Sequence, residues 1–459
     1  MIFPNRSYTK LLLLLLAGLP FASCEKLLEI PPAVNQITKE QLFSDSGTIA
    51  SNMTGLYSSG FLAPEVTVNP VLMQGLAGDE IILTNPGIIW NVFYTNNITP
   101  ATSHMIGLWG QPYSAIYHAN GFIENLPAST AISESLKKQY IAEAKFMRAF
   151  QYQALTGFFG DVPLVINTNV AANSSLPRAP RAEVTAQMIR DLNECIPDLR
   201  NNSDMTRANP YAAYALLARL YLYQKNWAMA SGMASKAMEG PYSMETDMSK
   251  TFLRASKESI LKASSQAGGG GYTDYTRWAA LLAPGTSTRT APNFIMQPDL
   301  VAAFEVGDKR KASWTTTRTV NGKVYTCGYK YKLKSYSPTS QEDFIFMRLP
   351  EQMLIKAEAL AELNQPDEAR KLVDSIRTRA GLGKLPVSAT KDEILSALRK
   401  ERRTELFMEG ERWPYLYHTG KLDEVMTALK SNWKPNFKLF PVPQTERINN
   451  PNLSQNDDY

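Results

Sequence analysis

The chain has 459 residues, 44% of them hydrophobic, with a formal net charge of +5 and only three cysteines and three histidines. A chain of this length buries a large core as one big domain or two intimately joined ones. The mild charge argues against nucleic acid as a partner, and three cysteines are too few for a disulfide framework.

At the N-terminus Arg6 and Lys10 precede the apolar run 11–16, and small residues then lead to Cys24. A basic start and a short apolar stretch are the marks of a secretory signal, and the stretch is too short to span a bilayer stably. A cysteine directly after small residues matches a bacterial lipobox, with Phe21 where that motif usually has Leu. Cys24 is therefore the expected lipidated first residue of the mature chain, with a simple cleaved signal as the alternative. Removal of residues 1–23 takes away two basic and no acidic residues, which lowers the charge from +5 to +3. Residues 24–41, with Pro31 and Pro32, read as an extended tether, and 42–459 as one domain.

A helical pattern covers 42–57, followed to residue 99 by a polar stretch rich in Gly and Pro. Asp79 and Glu80 are adjacent there, but sequence neighbours do not face each other across a substrate as acid/base pairs must. Trp90, Tyr94, Asn96 and Asn97 mix aromatic faces with amides in a predicted loop, a combination that suits sugars by stacking and hydrogen bonding. A core role for Trp90 stands beside that reading.

Helices are predicted over 111–126 and 139–159, the second apolar nearly all round and hence sandwiched between neighbours. Gly160 and Pro163 then turn the chain, with Asp161 as a turn residue, before an amphipathic helix over 182–199.

The stretch 209–237, NPYAAYALLARLYLYQKNWAMASGMASKA, predicts two antiparallel helices. Asn209 caps the first, Pro210 fits its first position, and Asn226 caps the second. Tyr214, Leu217, Ala218, Tyr221, Ala230, Ala234 and Ala237 keep the register of a tetratricopeptide repeat. A related pair lies at 353–376, where Ala357 and Ala369 repeat the relation of Ala218 to Ala230 and Pro366 opens the second helix. Single pairs cannot bury their apolar faces, so a stacked array is expected.

Between these pairs, residues 241–341 lose helical periodicity and set Tyr272, Tyr275, Trp278, Trp314 and Tyr325 among polar residues. The glycine run 268–271 lacks the following Lys-Ser/Thr of a phosphate loop and reads as a flexible loop. NGKVYTCGYKYKL, at 321–333, alternates after a turn and predicts a small hairpin. Cys195 and Cys327 read as buried thiols, although their contexts leave a pairing open.

Near the C-terminus, Thr390 and Glu393 form a capping box for a helix through 398–413, whose Glu and Arg residues suggest ion pairs at i,i+3 and i,i+4. The tail after residue 438 reads as Pro-rich loop. No convergent carboxylate pair, no metal-ligand spacing, and no Ser or Cys elbow beside His104, His118 or His418 indicates an enzyme.

Taken together, AEAKFMRAF and FFGDVPLV, RAEVTAQMIRDL, AAYALLARLYLYQKNW, LIKAEALAELNQPDEARKLVDSIRTRAGL, ERRTELFMEGERW and FPVPQTERINNPNLSQND resemble the SusD/RagB family of Bacteroidota outer-membrane lipoproteins, in order and spacing over almost the whole mature chain. Pro414-Tyr415 and Asp457-Asp458 depart from the family's usual acidic residue and Pro-Gly. The resemblance implies a mainly α fold with four tetratricopeptide-like helix pairs and an irregular, loop-rich insertion carrying small hairpins. It also implies a surface-exposed, lipid-anchored protein that binds oligosaccharide or polysaccharide, with a SusC-like TonB-dependent transporter in the same outer membrane as its partner. By the same analogy the glycan site combines Trp90, Tyr94 and Asn96 with Tyr275, Arg277, Trp278 and Trp314. No cofactor is indicated, and structural calcium is left open. A peptide-binding relative and a pure protein-interaction scaffold are the alternatives.

Overall fold

The computed structural model describes residues 39–201, 204–264, 276–335 and 341–459. Cys24, the signal, most of the tether, the glycine run, Tyr272 and Tyr275 lie outside the described residues. Ten longer helices organise the rest: α1 (Ser46–Tyr57), α2 (Val68–Ala77), α3 (Ser103–Asn125), α4 (Glu134–Phe159), α5 (Arg181–Cys195), α6 (Pro210–Tyr223), α7 (Trp227–Met238), α8 (Leu349–Glu362), α9 (Pro366–Arg379) and α10 (Lys391–Glu405).

From α3 onward each of these helices packs on the next in chain order, and α10 also returns to α8. This is the stacked helix array expected from the repeat pattern, with the insertion looped out between α7 and α8. The α6 and α7 pair forms as its sequence requires. Asn209 accepts from Ala212 N, Pro210 takes the first position, and Asn226 accepts from Met229 N. Ala218, Ala230, Ala234 and Ala237 are all fully enclosed, so two backbones approach where larger side chains would hold them apart. Ala357, Ala369, Val373 and Ile376 do the same for α8 and α9, whose core continues into Ile394 and Leu398 of α10.

Several boundaries differ from the sequence reading, among them the start of α4 at Glu134 instead of residue 139 and the end of α5 at Cys195 instead of residue 199. Helix α3 begins at Ser103, ahead of the predicted start at residue 111, and carries Pro112 in its interior. The predicted helix through Trp413 stops at Glu405: Met408 at φ 55° and Gly410 at φ 84° adopt left-handed backbone, and a short helix restarts at Arg412–His418. The tail holds a further short helix at Gln444–Asn449.

The insertion carries six short strands' worth of pairing together with its neighbours: β1 (Ile81–Leu83), β2 (Ser259–Ala263), β3 (Phe294–Met296), β4 (Thr315–Val320), β5 (Lys323–Gly328) and β6 (Phe344–Arg348). They form three two-stranded antiparallel sheets, β1 with β3, β2 with β6 and β4 with β5. The hairpin turns at Asn321 and Gly322, both at positive φ, so the Asn-Gly step lies between the strands. Cys195 and Cys327 are buried free thiols.

The acidic and basic residues of 398–413 do not pair along their own helix as the spacing suggested. Glu401 and Glu405 lie four apart on one face of α10, and that face is turned into the core, while Glu409 follows beyond the helix end. There Glu405 meets Arg310 at 3.2 Å and Arg348 at 2.5 Å as well as Arg379, while Glu401 meets Arg310 and Arg377 at 2.8 Å. Asp79, paired with Arg403 at 3.2 Å and Arg412 at 2.8 Å, fastens the N-terminal region to the same cluster.

Candidate functional site

The pairing of β1 with β3, in the register Ile81↔Met296 to Leu83↔Phe294, brings two distant parts of the chain side by side. Thr84 N donates to Asn293 O and the Thr84 hydroxyl to Pro292 O, which extends the ladder into the loops. One loop, after β1, carries Ile88, Ile89 and Trp90. The other, before β3, follows the short helix Arg277–Leu282, which is capped by Thr276 accepting from Ala279 N.

A cleft of about 410 Å³ opens between them, lined by Ile88, Ile89 and Trp90 on one side, Ala280–Gly285 and Pro292–Phe294 on the other, and Lys334. It shares Gly285, Pro292 and Asn293 with a second depression of about 610 Å³, lined also by Thr84, Asn85, Ser287 and Thr290. Both volumes fall in the range usual for small-ligand sites. The walls alternate apolar surface with amides and hydroxyls, and Ile89 is 67% exposed.

The structure redistributes the expected site residues. Trp90 and the insertion do converge on one cleft, but Trp90 is only 9% exposed, with His104 packed on its ring at 4.5 Å, so it offers little surface to the cleft. Tyr94 lies beneath the Lys430 ammonium, 5.4 Å from its ring centre, and Asn96 is buried at φ 52°. Arg277 opens the helix whose next turn lines the cleft.

Trp278 and Trp314 are corrected from ligand platforms to core residues. Both are 0% exposed. The Trp278 indole N–H donates to Met408 O at 3.0 Å, and that of Trp314 to Met248 O at 2.9 Å. An indole enclosed with its only donor satisfied has no face left for a sugar. Trp314 instead walls a cage, with Phe252 and Phe407, around the fully buried Lys330 ammonium. Burial pulls Lys330 down to about 8, against the favourable charge of Glu409.

Asp79 and Glu80 are structural. Glu80 accepts from Met408 N at 2.9 Å, and burial, with the Asp79 charge beside it, raises its carboxyl to about 7. Sequence reasoning missed Asn85, Ser287, Thr290 and Asn293, which are ordinary loop residues until the β1–β3 pairing places them together.

A helical repeat frame carrying a cleft between two loops defines a binding scaffold, and comparison with known proteins gives its family. The model described as SusD family matches residues 305–417, and the one described as starch-binding associating with outer membrane matches residues 36–222. The chain is 25% identical to SusD-like protein P38 of Formosa agariphila, over 100% of this chain and 99% of that protein. It is 29% identical to a SusD-like protein of Bacteroides ovatus, over 48% of this chain and 40% of the other. Among solved structures, a laminarin-binding SusD-like protein superposes with a TM-score of 0.76 at 23% identity, covering 91% of this chain and 100% of that one. Surface glycan-binding protein A from Bacteroides fluxus gives 0.74 at 22%, with the same coverage. The chain belongs to the SusD/RagB family, and its mainly α, tetratricopeptide-like fold is that of these proteins.

Proposed function

We propose that this protein captures a glycan at the cell surface and hands it to a SusC-like TonB-dependent transporter, held to the outer membrane by a lipid on Cys24. The description of the family model over 36–222 and the names of the laminarin-binding and surface glycan-binding neighbours support the ligand class. No described helix is long and apolar enough to cross a membrane.

The observation that carries the reading is the convergence of the Trp90 loop and the insertion on one cleft. Its chemistry suits a saccharide. Ile88, Ile89 and the accessible part of Trp90 take the C–H surface of a sugar ring, while Asn85 and Asn293 amides, Ser287, Thr290 and Lys334 take its hydroxyls. The role is binding, with Asp79 and Glu80 committed to buried structural contacts.

Isothermal titration of the protein against plant, host and microbial polysaccharides tests this, repeated with Ile89→Ser and Asn293→Ala. One polysaccharide should bind, and each substitution should weaken it about tenfold without moving the unfolding midpoint. Binding that ignores both substitutions would move the site elsewhere. Co-purification of the transporter barrel with the membrane-anchored protein, lost in Cys24→Ser, tests the handover.

A further inference from the structure

A cavity of about 1140 Å³ shares no lining residue with the Trp90 cleft. It lies where the end of α4 and the start of α5 meet the end of α6, the short helix Arg412–His418 and the chain's last residues. Two aromatic arrangements line it. The Tyr223 ring stacks on His418 at 4.0 Å, and the Arg181 guanidinium lies over the Tyr417 ring, 4.9 Å from its centre.

Its charges balance: Arg178, Arg181 and Lys438 stand against Asp161, Asp457 and Asp458. Some are already engaged. Lys438 pairs with Asp423 at 2.8 Å, and Arg178 donates to Phe159 O, Asp161 O and the Asn456 amide. Others are not. Among the described residues Arg181 pairs with no carboxylate, its Nη1 is buried without an acceptor, and Asn436 Oδ1 is buried without a donor. Asp457 and Asp458 likewise make no ion pair there. Orphaned polar atoms on the walls of a roomy cavity ask for a partner that brings both donors and acceptors.

We propose that this cavity is a second saccharide site, for a neutral oligosaccharide, with Arg181, Asn436 and Asp458 holding ring hydroxyls and Tyr417 beside them. A hydroxyl both donates and accepts, so adjacent hydroxyls satisfy a guanidinium, an amide oxygen and a carboxylate at once. An acidic ligand would meet three carboxylates and a basic one the two arginines and Lys438, so the balanced wall selects a neutral ligand. The assignment rests on the glycan reading for its substrate class, but not on the Trp90 cleft.

The test is titration of the protein with maltotriose, laminaritriose, cellotriose, mannotriose and xylotriose, with an oligogalacturonate as the charged control. Backbone hydrogen exchange of 178–185 and 454–458 is followed in the same samples. One neutral trisaccharide should protect both segments, with a second binding equivalent that survives Ile89→Ser. Arg181→Gln and Asp458→Asn should each weaken that equivalent about tenfold. Asp458 is exposed near the chain end, so its variant keeps the test valid if Arg181→Gln unfolds. No protection by any neutral trisaccharide at roughly millimolar affinity overturns the proposal, as does protection by the galacturonate alone or affinity unchanged in Asp458→Asn. Loss of all binding in Ile89→Ser with these segments unprotected would support the first site and refute this one.

Discussion

Arg348 is enclosed on every side, and all three of its guanidinium nitrogens are engaged: with Glu409 at 2.8 Å, Glu258 at 3.2 Å, and Glu405 through both its carboxylate and its backbone carbonyl. Burial alone would raise the Glu405 carboxyl, but Arg379, Arg348 and Arg310 overcome it and hold it well below the usual range. Arg348→Met would leave buried carboxylates short of a counter-charge, at a cost of about 3–5 kcal/mol read from urea unfolding. Arg403→Gln leaves Arg412 on Asp79 and should cost about 1 kcal/mol. The spacing of these Glu and Arg residues suggested pairs along their own helix; that Glu401 and Glu405 turn inward was not legible, because Arg310, Arg348 and Arg379 lie far off in sequence. The same reason hid the burial of Trp278 and Trp314, whose acceptors are the remote carbonyls of Met408 and Met248. His418 gives a prediction with a sign. Burial, helped by the Arg181 charge, pulls its imidazole down to about 3. Below the ordinary value of 6.5 the unfolded chain binds a proton that the folded chain does not, so this contribution to stability is complete above pH 6.5 and falls as the pH drops toward 3. At pH 5 the loss is about 2 kcal/mol. Glu80, raised to about 7, acts in the opposite direction, so the quantity to measure is the difference between the parent and His418→Gln, which should narrow between pH 7 and 4.

At the scale of elements, local chemistry settled most helix starts. Asn209, Asn226 and Thr390 cap where their side chains allow, and the capping box of Thr390 with Glu393 is complete. The caps differ in what else they hold. Asn226 is exposed and caps Met229 N only, whereas Asn209 is fully enclosed and its Nδ2 also donates to Ile260 O of β2 at 3.2 Å. Asn226→Ala should therefore cost about 1 kcal/mol, and Asn209→Ala about 2 kcal/mol or more, since a buried carbonyl loses its donor as well. Equal shifts in the urea midpoint would refute the added role of Asn209. Helix ends were less legible than starts. The break after Glu405 depends on left-handed backbone at Met408, and a methionine announces no such conformation. The opposite held for the hairpin, where Asn321-Gly322 carries the only dipeptide in its stretch suited to two positive φ values, and the strands form on either side of it.

Across the whole molecule, the helix array is a frame on which two irregular regions are fixed by a few long-range ties. The repeat register made the frame legible, since small residues three and four apart dictate which helices can pack closely. The cleft was legible only in outline, because it exists through the pairing of β1 with β3, two three-residue strands too short to stand out in sequence. Lys430 adds a further tie, donating to Leu76 O, Ala77 O and Tyr94 O at 2.7–3.0 Å, so the N-terminal wall is anchored independently of the insertion. Ile295 faces Ile82 at the centre of the ladder. Proline there removes a backbone donor and forces the two strands apart, while the array beneath keeps its own core. Ile295→Pro should then weaken glycan binding at the Trp90 cleft by tenfold or more with a fall in unfolding temperature of only a few degrees. Titration beside a thermal scan checks both. Unchanged affinity would mean that one loop suffices for the ligand, and a collapse of the main transition would mean that the ladder belongs to the frame; the separation of the two effects is what a rigid repeat carrying a binding cleft between joined loops requires.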